Sequence, residues 1–194
     1  MAYDLLFDNI SRHIQLNEQE KTFFLSILKH RKIRKRQYLL QAGDICRHET
    51  YILSGCLRAY HVDDNGFEHV TMFGIEDWWI SDLHSLLSQS PANQNIDALE
   101  DSEVLQIEKQ NLEELYHQVP KFERYFRIML QNAFVSHQQR ILQNISLSGE
   151  KRYRFFLEKY PQFAQRLPQK QIALYLGITP EFLSKIRKQF TRKK

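Results

Sequence analysis

The sequence is poor in cysteine, glycine and proline, and it has no long apolar run. Its 194 residues include two Cys, six Gly and five Pro. Two cysteines cannot build a multi-bridge disulfide framework, and they are too few to hold an iron–sulfur cluster within one chain. No apolar run approaches the roughly 18 residues of a membrane helix, and the N-terminus MAYDLLFDN is acidic where a signal peptide would be basic. We therefore expect a globular, cytoplasmic protein with no membrane partner.

Positive charge is scarce in most of the chain and concentrated near its end. Residues 148–194 carry 12 Lys or Arg and three Glu, a net charge of +9. The other residues carry 15 basic and 20 acidic side chains, a net charge of −5. This asymmetry favours a polyanion as the partner of the C-terminal segment.

The basic segment contains the pattern of a helix-turn-helix. In LPQKQIALYLGITPEFLSKIRKQF, residues 167–190, apolar side chains share one face of a first helix that Gly177 ends. Thr179 and Pro180 are an N-cap and a first-turn proline for a second helix. Two helices joined by about three residues that include a glycine form a helix-turn-helix.

The second helix is predicted to have an apolar face and a polar, mostly basic face. The apolar positions are Leu183, Ile186 and Phe190. The polar positions are Glu181, Ser184, Lys185 and Lys188. Such donors and acceptors suit base edges and phosphates in a DNA major groove, whereas the alternative is an ordinary helical hairpin that packs on a neighbour.

The N-terminal part is predicted to be helical before the pattern changes to strands. Residues 3–13 have helical spacing, and Asn17 opens a second helix with Glu20 in the capping-box position. The basic run KHRKIRKR, residues 29–36, is interpreted as an exposed helix exit that leads into an edge strand.

Between residues 33 and 107, short strands alternate with turn signals. The segments RQYLLQ, TYIL, CLRAYHV, FEHVTMF and DWWI recur every 8 to 12 residues, and two more strands cover residues 95–98 and 103–107. A helical interruption covers residues 81–89. The pattern predicts an α+β protein with an N-terminal antiparallel jelly roll or β-roll and flanking helices.

The histidines of this roll do not follow a metal-binding spacing. A cupin-type enzyme, the competing class, needs His-x-His with a later Glu, yet Thr50 follows His48 at the second position. The sequence also lacks the His-Glu-x-x-His motif, the nucleophile elbow and a phosphate-binding glycine loop. We predict no enzyme, no catalytic residue, no metal and no cofactor.

After Pro120, a helix is predicted to run to about Ser146 with more large apolar side chains than one surface of the roll can cover. A paired helix from a second subunit would bury the excess, so we predict a homodimer. The alternative is that the stripe packs wholly within its own chain. The assigned dimer residues are Phe122, Phe126, Met129, Ala133 and Ile141.

At this point the sequence resembles the Crp/Fnr family of bacterial transcription regulators over nearly its whole length. The likeness rests on GDICRHETYILSGCLRAYHVDDNGFEHVTMF and QKQIALYLGITPEFLSKI, in that order. It implies an effector-binding sensor domain at 1–118, a dimerisation helix at 119–147 and a winged helix-turn-helix at 148–194. It further implies that Gln169 and Thr179 approach DNA phosphates and that Glu181, Ser184 and Lys185 meet base edges.

Two departures from the family concern the effector. Cyclic AMP-binding members contact the ribose with a Gly-Glu pair, and this chain has Ser81-Asp82 near that position. Those members hold the phosphate with an Arg followed by Ser or Thr, and this chain has Asn-Gln-Asn at residues 93–95 instead. Between Ala59 and Glu108 there is no Lys or Arg, against eleven Asp and Glu. A buried phosphate needs a cation or several backbone donors, so we expect no cyclic AMP binding of the usual kind. The sequence leaves open whether another, unidentified small molecule acts as the effector. The candidate pocket residues are Arg58, Trp79, Ser81, Asp82, Asn93 and Asn95.

The C-terminus also differs from the family pattern. In the family, wing strands follow the recognition helix, whereas in this sequence only TRKK follows it. Pro180 occupies a position where the cyclic AMP type has a base-reading arginine, so no target sequence can be transferred. The predicted partner is double-stranded DNA. The alternative function is a sensor or partner-binding roll without specific DNA binding.

Overall fold

The computed structural model describes residues 3–192, with only the backbone of 190–192. Two helices precede the strands, one helix interrupts them and six helices follow, a segregation typical of an α+β protein. The helices are α1 (Asp4–Ser11), α2 (Glu18–Ser26), α3 (Leu83–Ser88), α4 (Lys109–Gln118), α5 (Lys121–Ser146), α6 (Gly149–Lys159), α7 (Pro161–Arg166), α8 (Gln169–Leu176) and α9 (Pro180–Arg192). The strands are β1 (Leu28–Ile33), β2 (Tyr38–Leu40), β3 (His48–Ser54), β4 (Leu57–Val62), β5 (Glu68–Gly74), β6 (Trp79–Ile80), β7 (Asn95–Ala98) and β8 (Ser102–Glu108).

The strands form two four-stranded sheets, in the orders β1-β8-β3-β6 and β2-β7-β4-β5. Their recorded pairings are antiparallel, for example Tyr51 with Leu105 and Leu57 with Ala98. Apolar side chains of both sheets are buried in one core, among them Ile52 and Val104 of the first sheet and Leu57 of the second. The predicted fold class, a roll followed by a long helix and a helix-turn-helix, is confirmed.

A second core joins the N-terminal helices to the roll and to the start of α5. Leu6, Phe24 and Phe122 are fully buried in it, together with Tyr51 of β3. Helix α2 begins with the predicted capping box: the Glu20 amide donates to Asn17 Oδ1, and the Asn17 amide donates to Glu20 Oε2, each at 2.8 Å. Local sequence alone determines this helix start.

The basic run at 29–36 differs from its interpretation as a helix exit. Helix α2 has already ended at Ser26, and residues up to Ile33 form the edge strand β1 itself, paired with β8. Lys29 and Lys32 make 3.0 Å ion pairs with Glu108 and Glu103 of β8. The run is therefore a charged sheet edge, which discourages pairing with another chain.

By internal contacts the chain falls into two compact units. One comprises residues 1–61 and 71–131, and the other comprises 62–70 and 132–194. The division passes through α5 between residues 131 and 132, so the first and second parts of this helix belong to different units. Among the described helices, none is both long and apolar enough to span a bilayer.

Candidate nucleic-acid interface and sensor roll

The predicted helix-turn-helix is built from α8, a tight turn and α9. Gly177 ends α8 with a left-handed φ of +63°, and the amide of Ile178 donates to the Ala173 carbonyl at 3.1 Å. A residue with a Cβ is disfavoured in this conformation, which explains the glycine. Thr179 caps α9, since its hydroxyl accepts from the Phe182 amide at 3.2 Å.

The two faces predicted for α9 are present over residues 181–188, while the side chain of Phe190 lies outside the described part of the chain. Leu183 and Ile186 are 0% and 3% exposed, and the α8 residues Ile172, Ala173 and Leu176 are also buried. On the other face Glu181, Lys185 and Lys188 are exposed, and Ser184 is partly buried. Gln169 and Thr179 are exposed at the starts of α8 and α9. All six DNA-contact candidates therefore have at least part of their surface accessible.

Helix α6 supports this motif through a close contact. Ser148 is its N-cap, and a Cβ at Gly149 would lie 2.9 Å from a ring carbon of Phe182 and 3.0 Å from Ile178. The glycine thus permits α6 to approach the turn and α9. Helix α9 continues to Arg192, so the TRKK segment begins as helix; Lys193 and Lys194 lie outside the described residues.

The candidate dimer residues of α5 fall into two groups. Phe122 is fully buried, Phe126 lies 5.2 Å from the Trp79 ring, and Met129 packs against the same N-terminal core. Ala133 and Ile141 are exposed instead. Exposed apolar side chains of α5 also include Leu130, near the end of its first part, and Phe134, Val135, Leu142 and Ile145 in its second part; these five are 50% to 80% exposed.

Among the effector-pocket candidates, Arg58 forms an ion pair inside the roll. Its Nε and one terminal nitrogen bind the two carboxylate oxygens of Asp97 at 2.8 and 3.0 Å. Its guanidinium also lies 4.0 Å from the centre of the Tyr60 ring. Because Arg58 is 7% exposed and Asp97 is 8% exposed, the pair is a buried, bidentate ion pair.

Trp79 belongs to a buried polar network. Its Nε1 donates to the Tyr125 hydroxyl at 2.8 Å, and that hydroxyl donates to Asn9 Oδ1 at 2.6 Å. Asn9 and Tyr51 both donate to Asp77 Oδ1, at 2.8 and 2.6 Å. The network joins α1, β3, the β5–β6 turn and α5, and sequence patterns contain no signal for pairings so far apart.

The other candidates are engaged separately. Ser81 donates to Glu49 at 2.7 Å, and Asp82 caps α3 by accepting from the Ser85 amide at 3.0 Å. The Asn93 carbonyl contacts His61 Nδ1 at 2.9 Å, and Asn95 Oδ1 accepts from the Ala42 amide at 3.0 Å.

The roll contains a cavity of about 60 Å³, and of the six candidates only Ser81 lines it. This volume holds a water or two, well below the 300 Å³ or more of typical ligand pockets. The described residues also include no cluster of three or more metal-ligating side chains.

Sequence reasoning missed Glu49, which lies beside Ser81. Burial raises the pKa of Glu49 to about 7, although the Ser81 hydrogen bond favours the charged form. Glu49 precedes the predicted strand segment TYIL, and nothing in the local sequence distinguishes this carboxylate from an exposed one, because its desolvation results from packing.

Replacing Glu49 with glutamine should stabilise the roll at pH 8 and remove part of its pH dependence. The pKa of Glu in an unfolded chain is about 4.3. Between about pH 4 and pH 7 the folded protein keeps the Glu49 proton and the unfolded chain loses it, so rising pH favours unfolding. Wild-type stability should therefore fall across this window by about 1–3 kcal/mol relative to E49Q. Urea unfolding followed by tryptophan fluorescence at pH 5 and 8 measures the difference, with the exposed E113Q as control. Equal pH slopes in E49Q and wild type would contradict this assignment.

Comparisons with known proteins agree with this architecture. Residues 30–119 match the cyclic nucleotide-binding domain family. The regulatory protein HlyX of Actinobacillus pleuropneumoniae is 26% identical over 189 residues, covering 91% of this chain and 78% of HlyX. The fumarate and nitrate reduction regulatory protein of Vibrio cholerae is 28% identical over 195 residues, with 91% and 75% covered. A Crp/Fnr-family structure from Eubacterium rectale has a TM-score of 0.71 at 17% identity, over 99% of this chain and 88% of that one.

The match at 30–119 coincides with the roll, and the alignments to the regulatory proteins span nine-tenths of the chain. These relatives are regulators and not enzymes, in agreement with the absence of catalytic motifs from the sequence. The chain is similar to these bacterial regulatory proteins over nine-tenths of its length, and it shares the fold of a Crp/Fnr-family structure.

Proposed function

We propose that the protein is a dimeric, sequence-specific DNA-binding regulator whose roll does not bind cyclic AMP in the usual way of the family. The observation that carries the proposal is the exposed polar face of α9, backed by buried Leu183 and Ile186 and capped by Thr179. This arrangement presents donors and acceptors on a rigid helix that a major groove can accommodate.

The roles of the exposed residues follow from their positions. Gln169 and Thr179 lie where helices begin, and helix N-termini favour phosphate. Glu181, Ser184 and Lys185 lie in the first two turns of α9, the part of a recognition helix that reaches base edges. In a dimer the two α9 helices would enter successive major grooves about 34 Å apart on a pseudo-palindromic site.

The target site can be found by selecting bound fragments from random duplex DNA with the purified protein near physiological salt. Recovery of a two-fold symmetric motif would establish a sequence-specific dimer and supply its operator. Recovery of DNA without a common motif would favour the alternative, a sensor roll without specific DNA binding, and would count against the proposal.

Lys185→Ala should weaken operator binding by about 1–3 kcal/mol and relax the base preference at the position it contacts. Lys185 is exposed on the polar face of α9, so its loss should leave the fold intact. Fluorescence anisotropy on the selected operator and on random DNA separates the two effects. Lys35→Ala, an exposed lysine of the roll, is the matched charge control. Equal losses on both DNAs would refute base reading by Lys185.

The roll is proposed not to bind cyclic AMP because its internal cation is already paired. Arg58 holds Asp97 in a bidentate contact, and a cavity of about 60 Å³ in the roll is well below the volume of typical nucleotide-sized pockets. Calorimetric titration of the full chain with cyclic AMP should show no saturable heat. Saturable binding at micromolar concentration would overturn this part of the proposal.

A further inference from the structure

A second cavity lies in the C-terminal unit, the one that comprises residues 62–70 and 132–194. It measures about 320 Å³ and is bounded by the second part of α5, by α6 with the residue that follows it, and by the end of α8. This volume is within the range of small-molecule sites. Cationic and aromatic side chains dominate its lining, including Arg140, Arg152, Lys159, Phe155, Tyr160 and Tyr175.

The lining has a one-sided charge. Three of its residues are Arg or Lys, and among the described residues that line it none is Asp or Glu. Amide and hydroxyl side chains complete the polar part, from Ser136, Gln139, Gln143 and Asn144. Cations gathered around a concave space without a lining carboxylate favour an anionic ligand.

Arg152 supplies the most specific observation. One of its terminal nitrogens donates to the carbonyls of Asn144 and Leu147 at 3.2 Å, which fixes the guanidinium at the end of α5. Its Nε is buried and has no hydrogen-bond partner among the described residues. An anion in the cavity would act on Arg152, which lines it, through the charge of the guanidinium, since solvent does not reach the Nε itself.

Arg140 adds a second fixed guanidinium. It donates to the carbonyls of Val70 and Tyr175, and it stacks 4.0 Å from the centre of the Tyr175 ring. Burial lowers the pKa of Arg140, because desolvation disfavours its charged form. A nearby anion would offset that penalty, since opposite charges stabilise each other strongly in a low-dielectric site.

The aromatic residues suit the other end of a ligand. Phe155 lines the cavity and remains 46% exposed, so its ring offers uncovered apolar surface. Lys159 lies at the same side, with its Nζ 3.0 Å from Ser136 Oγ and 5.3 Å from the Tyr160 ring centre. A flat ring in the ligand would cover Phe155 while its anionic group faces the cations.

We propose that this cavity binds a small organic anion with an aromatic part, a phosphate ester or a carboxylate. Arg152 and Arg140 hold the anionic group, Lys159 adds a third charge, and Phe155 covers the ring. Such a ligand contacts α5 and α8 at once, which places it beside the helix-turn-helix and not in the roll. The inference goes beyond the proposed function, and its binding test needs no DNA.

Calorimetric titration of the full chain with phenyl phosphate, benzoate and inorganic phosphate tests the site. We expect one saturable site per chain, with phenyl phosphate at least about threefold tighter than inorganic phosphate, because only the former has a ring. Tighter binding of phenyl phosphate than of benzoate would indicate that the natural ligand is a phosphate ester. Tighter binding of benzoate would indicate that it is a carboxylate. No saturation by phenyl phosphate or benzoate up to about 10 mM would overturn the proposal.

Variants locate the bound anion. Arg152→Met should weaken the tighter ligand about tenfold or more, and Lys159→Gln about threefold or more. Arg154→Met is the matched control, because Arg154 lies on the same helix, pairs with Glu150 and does not line the cavity. If Arg152→Met does not fold because it lacks the hydrogen bonds to the end of α5, the affinity of the Lys159→Gln variant tests the site, since Lys159 is exposed. Equal affinities of wild type and Lys159→Gln, or an equal loss in Arg154→Met, would overturn the assignment.

Discussion

A chain in which Phe134 is replaced by glutamate is expected to be monomeric and to lose at least about 100-fold in operator affinity. Phe134 is 64% exposed on α5, and Leu130, Ile141 and Ile145 follow its face of the helix at 52%, 57% and 80% exposure. So large an apolar surface on one helix is typical of an interface. The sequence spacing of four and seven residues suits a second copy of the same helix.

The size of the effect follows from two physical terms. Each large apolar side chain gains about 1.5–3 kcal/mol when fully buried, and a glutamate at the same position forfeits this gain and brings a charge into a low-dielectric interface. A monomer then engages one half-site. It loses the effective concentration that links two binding events, which is worth about 10²- to 10⁴-fold.

Sedimentation equilibrium and fluorescence anisotropy on the selected operator measure the two consequences. Ile141→Glu should behave like Phe134→Glu, because the two side chains share a face. Asn132→Glu adds the same charge to an exposed position on the opposite face of α5 and should remain dimeric. A dimeric Phe134→Glu protein with unchanged operator affinity would show that the exposed stripe is not the dimer contact.

Gly55→Ala is expected to destabilise the N-terminal unit by about 3–5 kcal/mol, the second large effect. Gly55 turns the chain between β3 and β4 with a left-handed φ of +100°. A Cβ there would lie 2.6 Å from the Ser102 Cα and would also collide with the Ser102 side chain. Since the obstacle includes the backbone of β8, a rotamer change cannot relieve it, and β3 and β8 would have to separate.

Gly43→Ala provides the matched control. Gly43 has a similar φ of +94°, but a Cβ there would meet no atom within 4 Å. The free energy of unfolding of Gly43→Ala should fall by only about 1 kcal/mol, the cost of holding an alanine in a left-handed conformation. Urea unfolding monitored through Trp78 and Trp79, both in the N-terminal unit, compares the two variants. Similar losses at both glycines would show that conformation, not the Ser102 contact, controls the Gly55 position.

Features that depend on a few neighbouring residues could be predicted from the sequence. The capping box of Asn17 and Glu20, the Gly177 turn and the Thr179 cap each involve partners within a few residues, so local chemistry specifies them. The apolar face of Leu183 and Ile186 follows from helical periodicity. The basic C-terminal segment and the scarcity of cations between residues 59 and 108 are properties of the sequence itself.

Tertiary packing decided what those side chains do. The pairing of Arg58 with Asp97, the burial of Glu49 and the division of α5 into a packed and an exposed part depend on residues far apart in the chain. The basic run at 29–33 became a strand because β8 lies beside it. The cavity around Arg152 required three helices to meet. Sequence by itself determined the local turns and the distribution of charge along the chain. Long-range packing determined which charges are paired, buried or left accessible, because side-chain desolvation depends on neighbours that no local pattern contains.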